Sequence, residues 1–162
     1  MSAVEFTVAS VESADAVVLI EAVQREYEVR YGSGDVSELA IAEFASPHRI
    51  FLVGRDDGEP VACGGLRLVA AALGELKRMY VAPTARRRGI ARALLRQLED
   101  EARLLGASRL RLETGLNQPE AIALYESAGY QPTEQFGPYA GHVLARHLAK
   151  SLSGHSPTQA SG

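Results

Sequence analysis

The stretch ELKRMYVAPTARRRGIARALL, residues 75–95, constrains the fold of this chain more than any other. An apolar strand ends at a proline, three consecutive arginines follow, and a glycine opens a helix. A helix N-terminus presents unpaired N–H groups and partial positive charge, and a glycine there lets a phosphate approach the backbone. Three adjacent arginines supply charge-assisted donors. The stretch therefore predicts a phosphate-binding turn, and a solvated run of charge is the alternative that these residues alone leave open.

Two common phosphate-binding motifs are absent from the sequence. No Gly-x-x-x-x-Gly-Lys-Ser/Thr occurs, and no Gly-x-Gly-x-x-Gly follows a strand. The formal net charge of −3 also argues against a nucleic-acid partner, because nucleic-acid-binding domains are normally basic. A small anionic ligand bound at one local turn fits these facts better.

Length and composition indicate one domain. The 162 residues are 46% hydrophobic, enough to bury a single core. The sequence shows no basic-then-apolar signal pattern, and its longest apolar runs are far shorter than the ~20 residues that span a bilayer. We expect a cytoplasmic protein with no membrane partner, one domain over residues 1–150, and a disordered Ser/Gly/Pro-rich tail over 151–162.

The first half of the chain predicts a strand, a helix and an antiparallel meander. Ser13 is a favourable N-cap, and apolar residues at spacing four extend the helix to Gly32. A short helix is expected over 38–44, closed by Pro47. Three β-rich runs follow, and Asp57-Gly58 marks the turn between the first two.

The second half alternates helix and strand. The predicted elements are a helix over 90–105, a strand over 109–114, a helix over 119–128, and a hairpin of roughly 130–136 and 142–148. Strands that are first antiparallel and then joined by a helical crossover imply a mixed sheet with helices on both faces. Ligands in such α/β sheets favour the carboxyl ends of strands, where the arginine run lies.

Two separated motifs carry a family resemblance. Tyr80-Val81-Ala82-Pro83 is followed by Arg86-Arg87-Arg88-Gly89-Ile90-Ala91, and Asn117, Ala121, Tyr125, Gly129 and Tyr130 come later in the order and spacing of the same family. Over about residues 60–148 the chain resembles the GNAT superfamily of acyl-CoA-dependent N-acyltransferases, and it is similar to a bacterial subgroup of it. The resemblance implies the GNAT fold, a mixed and mostly antiparallel sheet of six to seven strands with a splayed parallel central pair.

The resemblance also implies acetyl-CoA as co-substrate, and no metal. The coenzyme-binding residues that it implies are Met79, Tyr80, Val81, Arg86, Arg87, Arg88, Gly89, Ile90, Ala91, Arg92, Asn117 and Ala121. The turn at 86–92 would hold the pyrophosphate. The backbone of 79–81 would pair with the pantetheine arm as an added strand, and one of its N–H groups would serve as an oxyanion hole.

Two residues are the candidates for proton transfer. An alkylamine must lose a proton before it attacks, so a general base is useful. Glu75 is that candidate, because it begins the strand that reaches the thioester and alternation places it on the same face as Met79 and Val81. An exposed carboxylate paired with Arg67 or Lys77 is the alternative. The resemblance implies Tyr125 as the acid that protonates the leaving thiolate, and a core aromatic residue is the alternative there.

The acceptor is expected between the first helices, the 63–67 strand and the final hairpin, with the glycine-rich loop EQFGPYAGH at 134–142 as its cover. Its candidate residues are Tyr27, Tyr31, Arg67, Phe136 and Tyr139. The four histidines have no metal-ligand spacing and are expected at surface or hairpin positions. Cys63 is expected in the core, with a covalent acetyl-cysteine as a weaker alternative.

The sequence thus predicts an N-acetyltransferase that transfers an acetyl group to a primary amine of a small molecule or amino acid, by direct attack in a ternary complex. Two alternatives remain open, an acyl-CoA-binding regulatory module with little turnover and a protein-amine acetyltransferase. Homodimers are common in the family, so a homodimer is a further expectation.

Overall fold

In the part of the chain that the structure describes, seven strands form one mixed sheet in the order β1-β2-β3-β4-β5-β7-β6, with three α-helices packed against it. The computed structural model describes residues 3–33 and 48–152. The elements are β1 (Glu5–Val8), α1 (Ala14–Tyr31), β2 (Arg49–Asp56), β3 (Glu59–Ala70), β4 (Leu73–Val81), α2 (Ile90–Leu104), β5 (Arg109–Gly115), α3 (Pro119–Ser127), β6 (Gln131–Pro132) and β7 (Ala145–Ser151). The helix expected over 38–44 lies outside the described residues.

Local signals place the first elements as predicted. The Ser13 hydroxyl accepts a hydrogen bond from the Ala16 N–H at 3.3 Å and caps α1. Gly32 ends that helix in the left-handed conformation, with φ of 81°. Asp57 and Gly58 both have positive φ, as the two-residue turn between β2 and β3 requires.

The only parallel neighbours among the described strands are β4 and β5, and α2 connects them. The expected mixed and mostly antiparallel sheet is therefore confirmed. β7 lies between β5 and β6, because it pairs with β5 from Arg109↔Ser151 to Gly115↔Ala145.

The boundaries of the final hairpin differ from the prediction. β6 has two residues and β7 begins at Ala145, because Gly137 and Gly141 have positive φ and keep the intervening loop in turns. β7 also extends beyond 148 and β5 pairs with it there. Leu152, placed in the tail by the prediction, is buried, and its N–H donates to the Ser108 carbonyl at 2.7 Å. Residues 153–162 of that tail lie outside the described ranges.

The sheet has an α2 face and an α1 face. On the α2 face, Leu94, Leu95 and Leu98 of α2 pack against a layer that includes Leu66 and Leu112. Each fully buried leucine contributes about 2 kcal/mol through burial. The α1 face has a smaller cluster formed by Val11, Ala16, Leu19, Phe51, Val53 and Cys63. No helix within 3–33 or 48–152 has the length and apolarity to cross a membrane.

Candidate active site

A gap opens between β4 and β5 near their carboxyl ends. The two strands pair only from Leu73↔Arg109 to Leu76↔Leu112. Beyond Leu76, β4 remains paired with β3 up to Val81, whereas β5 remains paired with β7. The central parallel pair is therefore splayed, as expected, and the inner edge of β4 beyond Leu76 has no β-strand partner in the described structure.

A β-bulge at Arg78 changes which side chains face which way. Cys63 pairs with Tyr80 but Gly65 pairs with Lys77, so β4 carries one extra residue there, and Arg78 has φ of 58°. Met79 and Val81 consequently pack into the core of the α2 face.

Glu75 faces the α1 side. It lies opposite Arg67 on β3, while the next residue, Leu76, belongs to the core of the α2 face. The prediction that Glu75 shares a face with Met79 and Val81 was wrong, because the bulge inverts the alternation between them.

The backbone of Val81 points into the gap. Ala82 N–H donates to the Val61 carbonyl at 2.7 Å, toward β3. Since consecutive residues of a strand direct their polar groups to opposite sides, Val81 and Met79 direct theirs away from β3. The Arg86 Nε donates to the Val81 carbonyl at 2.9 Å from that side. The N–H groups of Met79 and Val81 thus face the gap.

A cleft of about 610 Å³ runs from this gap to the N-terminus of α2. Its lining residues are Val23, Glu26, Arg30, Met79, Tyr80, Val81, Ala85, Arg86, Arg87, Gly89, Ile90, Ala91, Arg92, Gln118, Glu120, Ala121, Leu124 and Tyr125. Ten of the twelve residues expected to bind coenzyme line it directly. Ala121 of α3 is among them, and Arg88 and Asn117 are not.

The N-terminus of α2 is shaped to receive an anion. Gly89 is its N-cap with φ of 75°, no side chain caps the helix, and the space where a Cβ would stand is open. Arg87 also has positive φ and lines the cleft, and its guanidinium has no polar partner within the described part of the chain. Free helix-end N–H groups, an accessible backbone and an unpaired guanidinium fit a pyrophosphate.

The neighbouring arginines have protein partners. Arg88 pairs with Asp56 at 2.7 Å, and Arg92 donates to the Ser127 hydroxyl at 2.6 Å. Arg86 pairs with Glu26 of α1 at 2.6 Å. A contact of these three side chains with pyrophosphate stays a prediction. To form it, each side chain would have to leave its present protein partner.

Asn117 joins the loop before α3 to the end of α1. Its amide donates to the Arg30 carbonyl at 2.7 Å, and the Arg30 guanidinium donates back to the Asn117 carbonyl at 2.7 Å. Its predicted contact with coenzyme is untested. Arg30 also pairs with Glu26 at 3.0 Å and Glu120 at 2.6 Å, which connects α1 to α3 across the cleft.

Tyr125 lies at the floor of the cleft. Its side chain is buried in the α2 face, and its hydroxyl donates to the Met79 sulfur at 3.6 Å. Burial raises the pKa of Tyr125, so the phenol stays protonated at neutral pH. A protonated donor beside the backbone that faces the gap can deliver a proton to a departing sulfur.

A second, smaller cavity of about 160 Å³ lies beside the cleft on the α1 face. Its lining residues are Tyr27, Tyr31, Ser33, Glu113, Thr114, Gly115, Gln118, Tyr139, His142, Leu144 and Ala145. Gln118 lines both spaces, and its side-chain oxygen accepts a hydrogen bond from the Tyr31 hydroxyl at 3.1 Å. We call this space the acceptor cavity.

Three of the five residues expected at the acceptor line this cavity, namely Tyr27, Tyr31 and Tyr139. The other two lie elsewhere on the α1 face. Arg67 lies 3.6 Å from Glu75, and Phe136 packs against His147. Neither residue lines the acceptor cavity, so their predicted contact with substrate stays a prediction.

Sequence reasoning missed Glu113, Gln118 and His142. The alternation of RLRLET could have revealed Glu113, because it places this carboxylate on the same face as Arg111. Gln118 and His142 lie in connections between elements, where no periodicity operates. Among the histidines, His147 is buried on β7, and His48 and His142 are exposed.

Glu75 is buried among cations. Arg111 donates to its carboxylate at 2.9 and 3.1 Å, and Arg67 and Lys77 each lie 3.6 Å away. The expected pairing with Arg67 and Lys77 is present, but the carboxylate is buried and not exposed. Within the described residues it lines neither the cleft nor the acceptor cavity. Its role as base stays a prediction.

Cys63 is a core residue. It has no exposed surface, its thiol donates to the Arg78 carbonyl at 3.4 Å, and burial raises the pKa of the thiol to about 12. Such a thiol is not a nucleophile at neutral pH, so the acetyl-cysteine alternative is excluded.

Comparison with known proteins agrees with this architecture. The model of the acetyltransferase (GNAT) family matches residues 17–130. An IAA acetyltransferase of Azospirillum brasilense is 42% identical over 140 residues, which cover 85% of this chain and 92% of that protein.

Solved structures show the same fold. A Klebsiella pneumoniae protein provisionally described as an acyl-CoA N-acyltransferase superposes with a TM-score of 0.78 and 34% identity, over 92% of this chain and 97% of that one. A GNAT family acetyltransferase from Elizabethkingia anophelis with acetyl-CoA bound superposes with a TM-score of 0.71 and 15% identity, over 92% and 98%. The chain therefore belongs to the acetyltransferase (GNAT) family and is an acyltransferase.

Proposed function

We propose that this acyltransferase transfers an acetyl group from acetyl-CoA to the primary amine of a small molecule, by direct attack while both substrates are bound. The observation that carries the proposal is that the coenzyme cleft and the acceptor cavity adjoin and share Gln118. An amine held in one space can reach an acyl group held in the other without a protein nucleophile. The Azospirillum brasilense relative, an IAA acetyltransferase, supports a small-molecule acceptor.

The chain's own groups fit the binding of the coenzyme, which when bound supplies an activated thioester. The N-terminus of α2 and the Arg87 guanidinium hold the pyrophosphate. The inward N–H groups of Met79 and Val81 hydrogen-bond the pantetheine arm as an added strand, and one of them polarises the thioester carbonyl.

Proton transfer requires an acid and a base. Tyr125 is the acid, because its buried hydroxyl is protonated and its one hydrogen-bond partner among the described residues is a thioether. An alkylamine with a pKa near ~10.4 needs roughly 4 to 5 kcal/mol to yield its free base at neutral pH. A carboxylate on the α1 face lowers that cost. The sequence-based candidate is Glu75, acting through water because it lines neither space.

Calorimetric titration with acetyl-CoA tests the binding half of the proposal. We expect micromolar binding by the wild type and at least ~10-fold weaker binding by Arg87→Glu, because a charge-assisted hydrogen bond contributes about 1.5–3 kcal/mol. The matched control is Arg96→Glu, the same charge reversal at an exposed position of α2 that lines no part of the cleft. No binding by the wild type, or equal losses in the two variants, would overturn the assigned site.

Release of free coenzyme A thiol during incubation with a panel of small amines tests the catalytic half. Turnover with at least one amine is the expected result. Tight binding of acetyl-CoA with no turnover over the panel would favour the regulatory module instead. Turnover only with peptides that carry a free amine would favour a protein acceptor.

A further inference from the structure

The acceptor cavity contains a carboxylate at the point where the sheet opens. Glu113 follows Leu112, the last β5 residue paired with β4, and so it is the first β5 residue beside the gap. It lies on the α1 face, where β5 continues to pair with β7 and Glu113 is opposite His147. Its side chain is 21% exposed and lines the cavity.

His147 holds this carboxylate in place. Its Nε2 lies 2.6 Å from Glu113 Oε2, and its side chain is only 3% exposed. The ring of Phe136 packs edge-on against the imidazole, with 4.8 Å between centroids. An enclosed imidazole bonded to one carboxylate oxygen fixes the orientation of Glu113, so the carboxylate loses little conformational freedom when it binds a ligand.

The nearby cations are engaged by a different carboxylate. Arg111, Arg67 and Lys77 all converge on Glu75. Arg111 also stacks on Phe136, with its guanidinium carbon 3.8 Å from the ring centroid. These three side chains share the α1 face with Glu113 but are absent from the described lining of the cavity.

The described lining of the cavity therefore has one formal charge, and that charge is negative. Among its described residues Glu113 is the only Asp, Glu, Lys or Arg, and Tyr27, Tyr31 and Tyr139 also line it. Aromatic faces attract organic cations, and a fixed carboxylate pairs with an ammonium group. A carboxylate on the ligand would instead meet Glu113, and the described lining supplies no Lys or Arg to pair with it.

We infer that Glu113 binds the ammonium group of the acceptor and removes its proton, that His147 is its positioning residue, and that the acceptor is a primary amine with an apolar or aromatic body and no carboxylate. This inference rests on the proposed acetyltransferase function. It gives the amine's proton to a residue of the cavity and not to Glu75.

The proposed transfer is balanced in protons and electrons. One ammonium proton passes to Glu113 and then to solvent, which leaves a lone pair on nitrogen. That pair forms the N–C bond as the C–S bond breaks with its electrons on sulfur. The sulfur receives a proton from Tyr125, and the second proton lost by nitrogen restores the phenol. The products are an N-acetyl amide and the free thiol.

The test compares 2-phenylethylamine with phenylalanine, which differs from it by one carboxylate. We expect the wild type to acetylate 2-phenylethylamine with a kcat/KM at least ~10-fold above that for phenylalanine, the usual effect of an unpaired like charge at a binding site. Glu113→Gln should lose on the order of 10²-fold in kcat/KM for 2-phenylethylamine, as removal of a general base does. Its acetyl-CoA affinity by calorimetry should be unchanged.

Four further variants complete the test. Glu21→Gln makes the same change at an exposed position of α1 remote from both spaces, and its kinetics should match the wild type. Glu75→Gln tests the competing assignment, and we expect a smaller loss there than in Glu113→Gln. For the positioning residue, His147→Gln keeps an N–H donor and should retain more kcat than His147→Leu, with both compared at equal folded fraction.

The outcomes separate this inference from the proposed function. Absence of acetyl-CoA binding by the wild type would overturn the proposed function. A wild type that binds acetyl-CoA but prefers phenylalanine, acetylates neither amine, or keeps its kcat/KM in Glu113→Gln overturns the inference alone. A loss confined to Glu75→Gln returns the base role to Glu75.

Discussion

The Tyr125 hydroxyl donates a hydrogen bond to the Met79 sulfur at 3.6 Å, across the floor of the coenzyme cleft. A thioether is a weak acceptor, so the present partner holds the phenol only loosely. A thiolate that forms nearby would be a stronger acceptor and would take over this donor.

Tyr125→Phe should consequently lose on the order of 10²-fold in kcat while it folds normally. The variant keeps the ring that packs on Tyr130 with 5.8 Å between centroids. Steady-state kinetics with saturating acetyl-CoA would measure kcat, and calorimetry would confirm unchanged coenzyme binding. An unaltered kcat would remove Tyr125 from the acid role.

Gly115→Ala should damage acceptor binding selectively. A Cβ at Gly115 would overlap the hydroxyl of Tyr31 and lie 2.6 Å from its Cζ, so the ring must move. The hydrogen bond from Tyr31 to Gln118 would then be lost, together with the shape of the cavity wall. We expect the acceptor KM to rise at least ~10-fold, for a cost of about 1–3 kcal/mol.

Acetyl-CoA affinity is the internal control for this variant, since Gly115 does not line the coenzyme cleft. Tyr31→Phe is the milder comparison, because it removes the hydrogen bond and keeps the ring. If Gly115→Ala left the acceptor KM unchanged, Tyr31 would not form part of the acceptor wall.

Glu99 of α2 is a stability determinant. Its carboxylate, on a side chain 7% exposed, accepts hydrogen bonds from the Tyr130 hydroxyl at 3.0 Å and from Lys150 at 2.8 Å. Glu99→Ala would leave both donors without this partner and should lower the free energy of unfolding by about 2 kcal/mol. Urea denaturation would measure the change.

Asp100→Ala is the matched control, at the next position of the same helix. Its carboxylate is 69% exposed and pairs with Arg103 at 3.1 Å, so the expected change is within about 0.5 kcal/mol. Equal destabilisation by the two alanine variants would contradict the prediction, because alanine favours the helix at both positions and only Glu99 loses buried contacts.

Cys63 predicts a specific loss of stability at alkaline pH. Burial raises the pKa of this thiol from 9.0 to about 12. A raised pKa means that the thiol ionises first in the unfolded chain. Its contribution to the free energy of unfolding is therefore complete below pH 9.0 and is lost as the pH rises toward 12. Between these two pH values, ionisation of the thiol in the unfolded chain lowers the free energy of unfolding by about 1.4 kcal/mol per pH unit.

Cys63→Ala should remove this slope while leaving that of the buried tyrosines, whose raised pKa values act from about pH 10 upward. The free energy of unfolding of both proteins, measured by urea denaturation between about pH 8 and 10, checks the prediction. Parallel pH profiles for wild type and variant would contradict it.

Elements with short-range signals were predictable from the sequence. The Ser13 cap, the Gly32 terminus and the Asp57-Gly58 turn depend on a few adjacent residues, and all three are present. The final hairpin was not placed correctly, because the extent of β7 depends on its pairing with β5, which is distant in sequence.

The site shows the same division. Motifs identified Tyr125 and the turn at 86–92, and the structure places Tyr125 and all of that turn except Arg88 in the lining of one cleft. The orientation of Glu75 could not, because the bulge at Arg78 places an arginine at positive φ, where sequence preference favours glycine or asparagine. Glu113 and His147 meet only through the β5–β7 register.

The extra residue at Arg78 gives β4 two separate duties along one strand. Before it, Glu75 and Lys77 face the α1 side of the sheet. After it, Met79 and Val81 face the side of the coenzyme cleft. A substitution before the bulge therefore changes the packing of the α1 face, whereas one after it changes the wall of the cleft, so the two halves of one strand can vary separately.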